Sequence, residues 1–467
     1  MKKLLLKSIS VAILSTLYLL SPFANSQSIS AGGAHSLFLC NDRTVMGCGS
    51  NISGQLGQTS LDNNLISVQM SSLSDIKAVS AGENGSSLFL MNDGTVWACG
   101  YNSSGQLGDN TNISKLSPVQ INSLSGIIAI AAAGNHSLFL KNDGTVWSCG
   151  SNNYGQLGDG STEEIHTPVQ VSIVSNITAI ATLGNYSLFL KNDGTVWACG
   201  NNTWGQLGDG SNINRYTPIQ ITALSGITAI AAGENHSLFR KNDGTVWACG
   251  WNGRGELGDG TTYNRYTPVQ ISSLSNISSI SAAIDHSLFL KNDGTVWACG
   301  INDAGQLGIG TTIDRHSPNR ITTLSGITAV AAAGNHSLFL KNDGTVWACG
   351  YNGTGQLGDG TTELKTNPVQ VINLCEVTLG TKSDFSANKI SIYPNPTKDV
   401  VNFDFSGYDL SENLKLSITN VHGKLVKETT VNSSKTIIQL EGLSSGVYFY
   451  QLNKESKVLK TGKIILE

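Results

Sequence analysis

The sequence predicts an all-β protein: a seven-bladed β-propeller followed by a small C-terminal β-sandwich. Three observations point there. A unit of 50 residues recurs seven times, each copy carries four short strand signals, and those strands are apolar on both faces. Composition agrees with a turn-rich, two-sidedly buried chain. Charged residues make up only 13 % and glycine supplies 52 of 467 positions, against ordinary values of about 25 % and about 7 %. Such a chain is not a coiled coil, a collagen or a polytopic membrane protein.

The elements follow in order. Residues 1–26 read as a secretory signal peptide. Lys2, Lys3 and Lys7 form its positive start, and the apolar stretch from Ile9 to Phe23 is short and interrupted by serine. Small residues at Ala24 and Ser26 predict cleavage between Ser26 and Gln27. The mature chain is then expected to hold no integral membrane span.

Residues 27–375 form the repeat. Ser-Leu-Phe recurs at Ser36, Ser87, Ser137, Ser187, Ser237, Ser287 and Ser337, and Trp97, Trp147, Trp197, Trp247, Trp297 and Trp347 fall 50 apart. In the third unit the strands read Ile128–Ala132, His136–Leu140, Thr145–Cys149 and Pro168–Val171. The Asn142-Asp143-Gly144 link between the second and third is a hairpin signal, because glycine accepts the positive φ that such a turn needs. Sheets apolar on both faces pack between neighbouring sheets, which predicts a ring of blades. The chain enters at Ile29-Ser30 with almost no first strand, so the last blade is expected to take strands from both termini.

The motifs Gly-x-x-His-Ser, Asn-Asp-Gly-Thr-Val and Gly-x-Asn-x-x-Gly-Gln-Leu-Gly-Asp-Gly resemble the regulator-of-chromosome-condensation repeat over about residues 28–375. One departure is systematic: the family commonly reads Trp-Gly where this chain has Cys-Gly, from Cys48-Gly49 to Cys349-Gly350. The resemblance implies a propeller. Some relatives are guanine-nucleotide exchange factors, and one propeller relative inhibits an enzyme. The exchange factors use a wedge inserted in one blade, and the even spacing here leaves no room for one.

The chemistry-bearing residues are mostly repeated, which points to framework. Seven cysteines are repeat-equivalent and show no Cys-x-x-Cys spacing, so they read as buried apolar thiols. The other two, Cys40 and Cys375, are brought near each other by the repeat register. In an oxidising compartment they are expected to lock the ring with a disulfide. His35, His136, His236, His286 and His336 are repeat-equivalent, but Tyr186 and Ser86 break the series, so a turn-stabilising hydrogen bond to nearby backbone is expected rather than a metal ring. Gly253-Arg-Gly255-Glu-Leu-Gly258 matches the dinucleotide fingerprint literally, yet no helix follows it, so it reads as a turn. No nucleophile elbow and no recurrent acid pair stands apart from the repeats. No enzyme, cofactor or metal is therefore expected.

Charge bears on partners. The propeller region holds 15 Lys and Arg against 23 Asp and Glu, a net of −8. Nucleic acid is a poor partner for such a body. Between units the strands hardly change while the loops vary. Those of the third to sixth units gather Tyr154, Trp204, Arg215, Tyr216, Trp251, Arg254, Tyr263, Arg265, Tyr266, Arg315 and His316. Aromatic residues and arginine dominate binding hot spots, and rigid scaffolds display them on loops. The same Arg-Tyr pairs read equally well as stacking on the preceding blade.

After a linker, 376–389, the repeat gives way to a different composition in 390–467. Tyr393-Pro-Asn-Pro-Thr397, Asn420-Val-His-Gly-Lys-Leu-Val426, Leu443-Ser-Ser-Gly-Val-Tyr-Phe449 and a Lys-and-aliphatic end resemble the C-terminal sorting domain of the type IX secretion system of Bacteroidota. That resemblance implies type IX secretion machinery as a partner and a secreted or outer-membrane surface location. The expected function is a non-catalytic interaction propeller whose ligand is an extracellular protein or glycan. The alternatives are exchange-factor-like activity and a secreted proteinaceous enzyme inhibitor.

Overall fold

A computed structural model describes residues 27–70, 72–375, 391–405, 414–420, 424–454 and 457–467. The expected signal peptide, Ser26 at its cleavage point and the expected linker lie outside the described residues. Two compact units divide at Cys375 and Glu376. Among the described residues every regular element is a strand, and no helix is long and apolar enough to cross a membrane.

The first unit is seven four-stranded antiparallel sheets, spanning 28–69, 76–120, 127–170, 177–220, 227–270, 277–320 and 327–370. We call them blades 1 to 7. Strands follow in chain order within each blade. The first strand of every blade touches the first strands of both neighbours, including Ser28–Ala31 of blade 1 against Ile327–Ala333 of blade 7. First strands therefore surround the axis, and fourth strands lie outermost.

Each blade is buried on both faces, as the two-sided apolar pattern requires. In blade 3, Phe139 pairs with Trp147 and Leu140 with Val146 across the hairpin. Leu138, Leu140 and Val146 pack with Phe189, Trp197 and Cys199 of blade 4, while Phe139, Trp147 and Cys149 pack with Leu88, Leu90 and Val96 of blade 2. Trp147 also carries the Lys141 ammonium 5.0 Å from its ring centroid, a cation–π contact at the hairpin that repeats in blades 4 to 7. Within the hairpin Asp143 accepts bonds from the Thr145 N–H and hydroxyl, at 2.9 and 2.6 Å, and Gly144 takes φ +78°.

Ring closure corrects one expectation. Blade 7 takes all four strands from its own segment, and blade 1 is completed by Ser28–Ala31, which pairs with Ser36–Leu39. Four residues suffice for the innermost position, so no strand is exchanged between the termini. Closure is instead made by side chains and caps. Phe38 and Cys48 pack with Leu338, Val346 and Leu357. Ser67 donates to the Ile372 and Asn373 carbonyls, and the Asn373 amide returns a bond to Ser67 O at 2.9 Å. A disulfide joins Cys40 to Cys375, 335 residues apart.

The histidines correct another. They bond across blade boundaries rather than to their own turns. His35 meets Ser87 at 3.0 Å, His136 meets Ser187 at 3.0 Å, and His236, His286 and His336 meet Ser287, Ser337 and Ser36 at 2.9 Å. Tyr186 fills the fourth place, its hydroxyl 3.0 Å from that of Ser237. Each of these serines donates in turn to a backbone carbonyl of the preceding blade, as Ser187 does to Gln156 O at 2.7 Å. A buried imidazole cannot hold charge cheaply, and burial lowers the five histidines to about 3 or 4. The seven repeated cysteines are free and buried, and burial pushes their thiols far up.

In the second unit, two antiparallel sheets share one core. A three-stranded sheet contributes Val401, Phe403 and Ile438, and a four-stranded sheet contributes Leu416, Ile418, Tyr450 and Ile464. The Tyr-Pro-Asn-Pro-Thr segment docks on the last strand. Asn395 donates to Lys463 O and accepts from Ile465 N, and Thr397 N donates to Ile465 O.

Candidate functional site

First and third strands run parallel in each blade, so the loops that follow them share one face of the ring, opposite the Asn-Asp-Gly hairpins. Every variable-loop residue singled out from the sequence lies on that face. The third loop has a buried polar hub. In blade 4, Asn202 accepts from Leu207 N at 3.0 Å and donates to Asp209 at 2.9 Å, while Gln206 Oε1 caps Trp204 N at 3.0 Å. Such buried amide bonds fix the course of the loop.

The structure sorts the predicted residues into ties and exposed groups. Arg215 and Arg265 are tied within their own blades, each reaching Asp209 or Asp259 at 2.6 Å. Tyr216, Tyr266 and His316 cover the preceding blade: a Cβ on Gly155, Gly205 or Gly255 would come within 2.4–2.6 Å of their Cα atoms. Only glycine, at φ +80° to +90°, leaves room for that approach. Arg315 stands where blade 6 has Ile309 in place of the paired aspartate, and its buried Nε has no hydrogen-bond partner.

The rest reach solvent, as do the side chains of Tyr216, Tyr266 and His316 beyond their close backbone approach. Tyr154 and Tyr263 are 37 % and 73 % exposed on separate loops. Arg254 is exposed and meets Asp314 at 3.3 Å. The structure brings Trp204 and Trp251 together across the blade 4–5 junction, with ring centroids 4.5 Å apart and planes at 63°. Trp204 remains 37 % exposed.

Four carboxylates on the same face went unread in the sequence: Glu83, Glu234, Glu256 and Asp285. Three sit on the first loops, which ring the axis through bonds such as Gly134 N to Leu183 O and Glu234 N to Ala283 O. Glu83 of blade 2 accepts from Gly334 N of blade 7 at 3.0 Å. Leu183 of blade 4 shares an apolar cluster with Ala31 and Ala333 of blades 1 and 7, so it plugs this end of the axis. Burial pushes Glu83 up to about 7, and repulsion from Glu234 and Asp285 adds to it. Burial likewise raises Glu256 to about 7 and lifts Glu234 and Asp285.

Glu256 takes a place held by glutamine in the other six blades. In blades 3 and 6 the amide donates onward: Gln156 to Asn185 and Gln306 to Asn335, each at 3.5 Å. At the blade 5–6 junction Glu256 and Asp285 replace both amides. The signal in the sequence was departure from the repeat at framework positions, whereas attention to loop variability passed over it. Among the described residues no group of three or more His, Cys, Asp or Glu is arranged to hold a metal ion.

Comparison with known proteins places this architecture. Residues 15–282 match the RCC1-like domain. The chain belongs to that family. The RCC1-like propeller continues through matches to the regulator of chromosome condensation repeat at 293–340 and 343–381. Residues 391–467 match the secretion system C-terminal sorting domain. Among solved structures, human WBSCR16 is 26 % identical with a TM-score of 0.61, covering 67 % of this chain and 86 % of that one. Prp20p from Saccharomyces cerevisiae is 23 % identical with a TM-score of 0.63, covering 70 % and 86 %. Yeast RCC1 (Prp20), solved with Kap60 bound, is 23 % identical with a TM-score of 0.62, covering 69 % and 83 %. The two yeast structures establish likeness of fold alone. The RCC1-like propeller described here thus carries a type IX sorting domain behind it, which directs it to the cell surface or beyond.

Proposed function

We propose that this RCC1-like propeller is a non-catalytic binding module whose loop face takes an extracellular protein or glycan. A signal peptide over 1–26 starts its export, and the sorting domain is handled by the type IX machinery. The observation that carries the reading is the Trp204–Trp251 pair, with Trp204 exposed and Trp251 half-buried on the loop face. Exposed indoles cost solvation in a free protein and repay it in a complex. Arg254, exposed on the same loop as Trp251, adds a hydrogen-bonding head that meets Asp314 of blade 6. A non-catalytic role is supported by the state of the repeated reactive side chains: the five repeat imidazoles and seven repeat thiols are buried and taken up in framework bonds.

Pull-down of extracellular proteins and screening of glycans with the full chain tests the reading. Trp204→Ala and Arg254→Ala should each weaken retention about tenfold. Undiminished retention in both variants would remove this face from consideration.

A further inference from the structure

The blade 4–5 junction carries more than an aromatic pair. Trp204 N donates to Gln206 Oε1 at 3.0 Å, and Trp251 N donates to Asn235 O at 2.8 Å. The backbone that carries the two indoles is therefore anchored on Gln206 and on the first loop of blade 5. The other end of the Gln206 side chain is orphaned: its amide nitrogen is fully buried and has no hydrogen-bond partner. In sibling blades the same nitrogen reaches the first loop of the following blade, as Gln106 does to Gly134 O at 3.3 Å and Gln156 to Asn185 at 3.5 Å. By that register the Gln206 amide faces the loop 233–235.

That loop holds Glu234, at the position of Gly134 in blade 3. Its side chain is half-buried, and no lysine or arginine pairs with it among the described residues. The junction thus offers an unused donor and an aromatic pair, and the loop bonded to Trp251 N carries a carboxylate with no cationic partner. The three together select a ligand chemistry. A lysine or arginine side chain has only donors, so it would meet Glu234 and the indoles but leave Gln206 orphaned. An anion would meet Gln206 and be repelled by Glu234. An apolar peptide side chain would satisfy neither. A pyranose presents hydroxyls that both donate and accept, beside a C–H face that lies on indole.

Resting on the binding role proposed above, we propose that the blade 4–5 junction is a carbohydrate site. It takes a neutral pyranose of a glycan, stacked on Trp204 and Trp251, with hydroxyls bonded to Gln206 and Glu234. Reaching the covered amide requires a side chain to move. In this proposal the Trp204 side chain, two residues away and 37 % exposed, moves onto the sugar while its backbone N stays capped.

The test uses the full chain on an array of neutral oligosaccharides built from gluco-, galacto- and manno-configured pyranoses. Binding to retained sugars is then followed by tryptophan fluorescence. Trp204→Ala and Gln206→Glu should each weaken binding about tenfold or more. Gln206→Glu keeps the Trp204 cap and replaces the donor with a carboxyl group, a change the fold already accepts at Glu256. Glu234→Gln should also weaken it, and Tyr351→Ala, on the distant loop of blade 7, should leave it unchanged. Absence of binding to every neutral sugar overturns the inference, as does binding that survives both Trp204→Ala and Gln206→Glu. Trp204-dependent capture of a deglycosylated protein without sugar binding overturns the carbohydrate inference while leaving the binding face in place. Failure of both arms removes both.

Discussion

His336 Nε2 lies 2.9 Å from Ser36 Oγ, joining the last blade to the first across 300 residues with the bond that four other junctions use. Ser36 gives its own proton to Gln356 O at 2.8 Å, so it accepts from the imidazole. The histidine then carries a proton on Nε2, and burial disfavours a second one on Nδ1. The ring is closed by repeating its internal interface, not by a special device, and the Cys40–Cys375 disulfide is added outside that repetition.

The five repeat histidines should stay neutral in the folded protein from pH 8 down to about 5. Their folded values lie below the ordinary 6.5, so their contribution is complete above that pH and is lost progressively as pH falls toward 4. Nitrogen-detected NMR should show Nε2–H imidazoles that do not titrate over this range. An imidazole titrating near 6.5 would contradict the interface geometry. In denaturant melts His236→Gln should decline less steeply with acid than the parent protein.

Glu256 works in the opposite direction. Its folded value of about 7 lies above the ordinary 4.5, so the stability it confers is present below 4.5 and lost as pH rises through 7. Glu256→Gln restores the residue of the other blades. It should raise stability at pH 8 by about 1–3 kcal/mol and change it little at pH 4. Chemical denaturation at the two pH values measures the difference, and equal effects at both would refute the assignment.

Cys375→Ser should lower stability by about 2–4 kcal/mol, because the disulfide restrains a very long loop of the unfolded chain. The seven remaining thiols should resist an aromatic disulfide reagent at pH 8 until the protein unfolds, since each is buried and neutral. Rapid labelling of any of them in the native protein would place it at an open surface.

Arg215→Ala should leave ligand binding intact and lower stability by about 1 kcal/mol, because its guanidinium serves Asp209 rather than solvent. Arg254→Ala should do the reverse. Binding and melting measurements on the same pair of variants separate the two roles.

Much of this fold was legible because its determinants are local. The turn glycines, the Asn-Asp-Gly hairpins and the two-sided apolar strands each act within a few residues, and seven copies make the pattern unmistakable. The site was legible only in part. Trp204 and Trp251 stood out as aromatic loop residues, but nothing local says that their rings meet. Arg215 and Arg254 look alike in sequence, and the difference between them is an aspartate six residues away or one in the next blade. Glu234 and Glu256 were hidden as single departures inside conserved-looking framework.

The sequence by itself determined the blade count, the strand faces, the turns and the sorting tail, because each rests on spacing along the chain. Only the tertiary structure decided which side chains meet. His136 finds Ser187 at a separation of 51 residues, Ser137 finds Gln106 at 31, and Ser36 finds His336 at 300. Those distances are set by where one blade lies against the next. The same geometry leaves Gln206 without a partner and shows that four residues, Ser28–Ala31, complete the first blade without any exchanged strand.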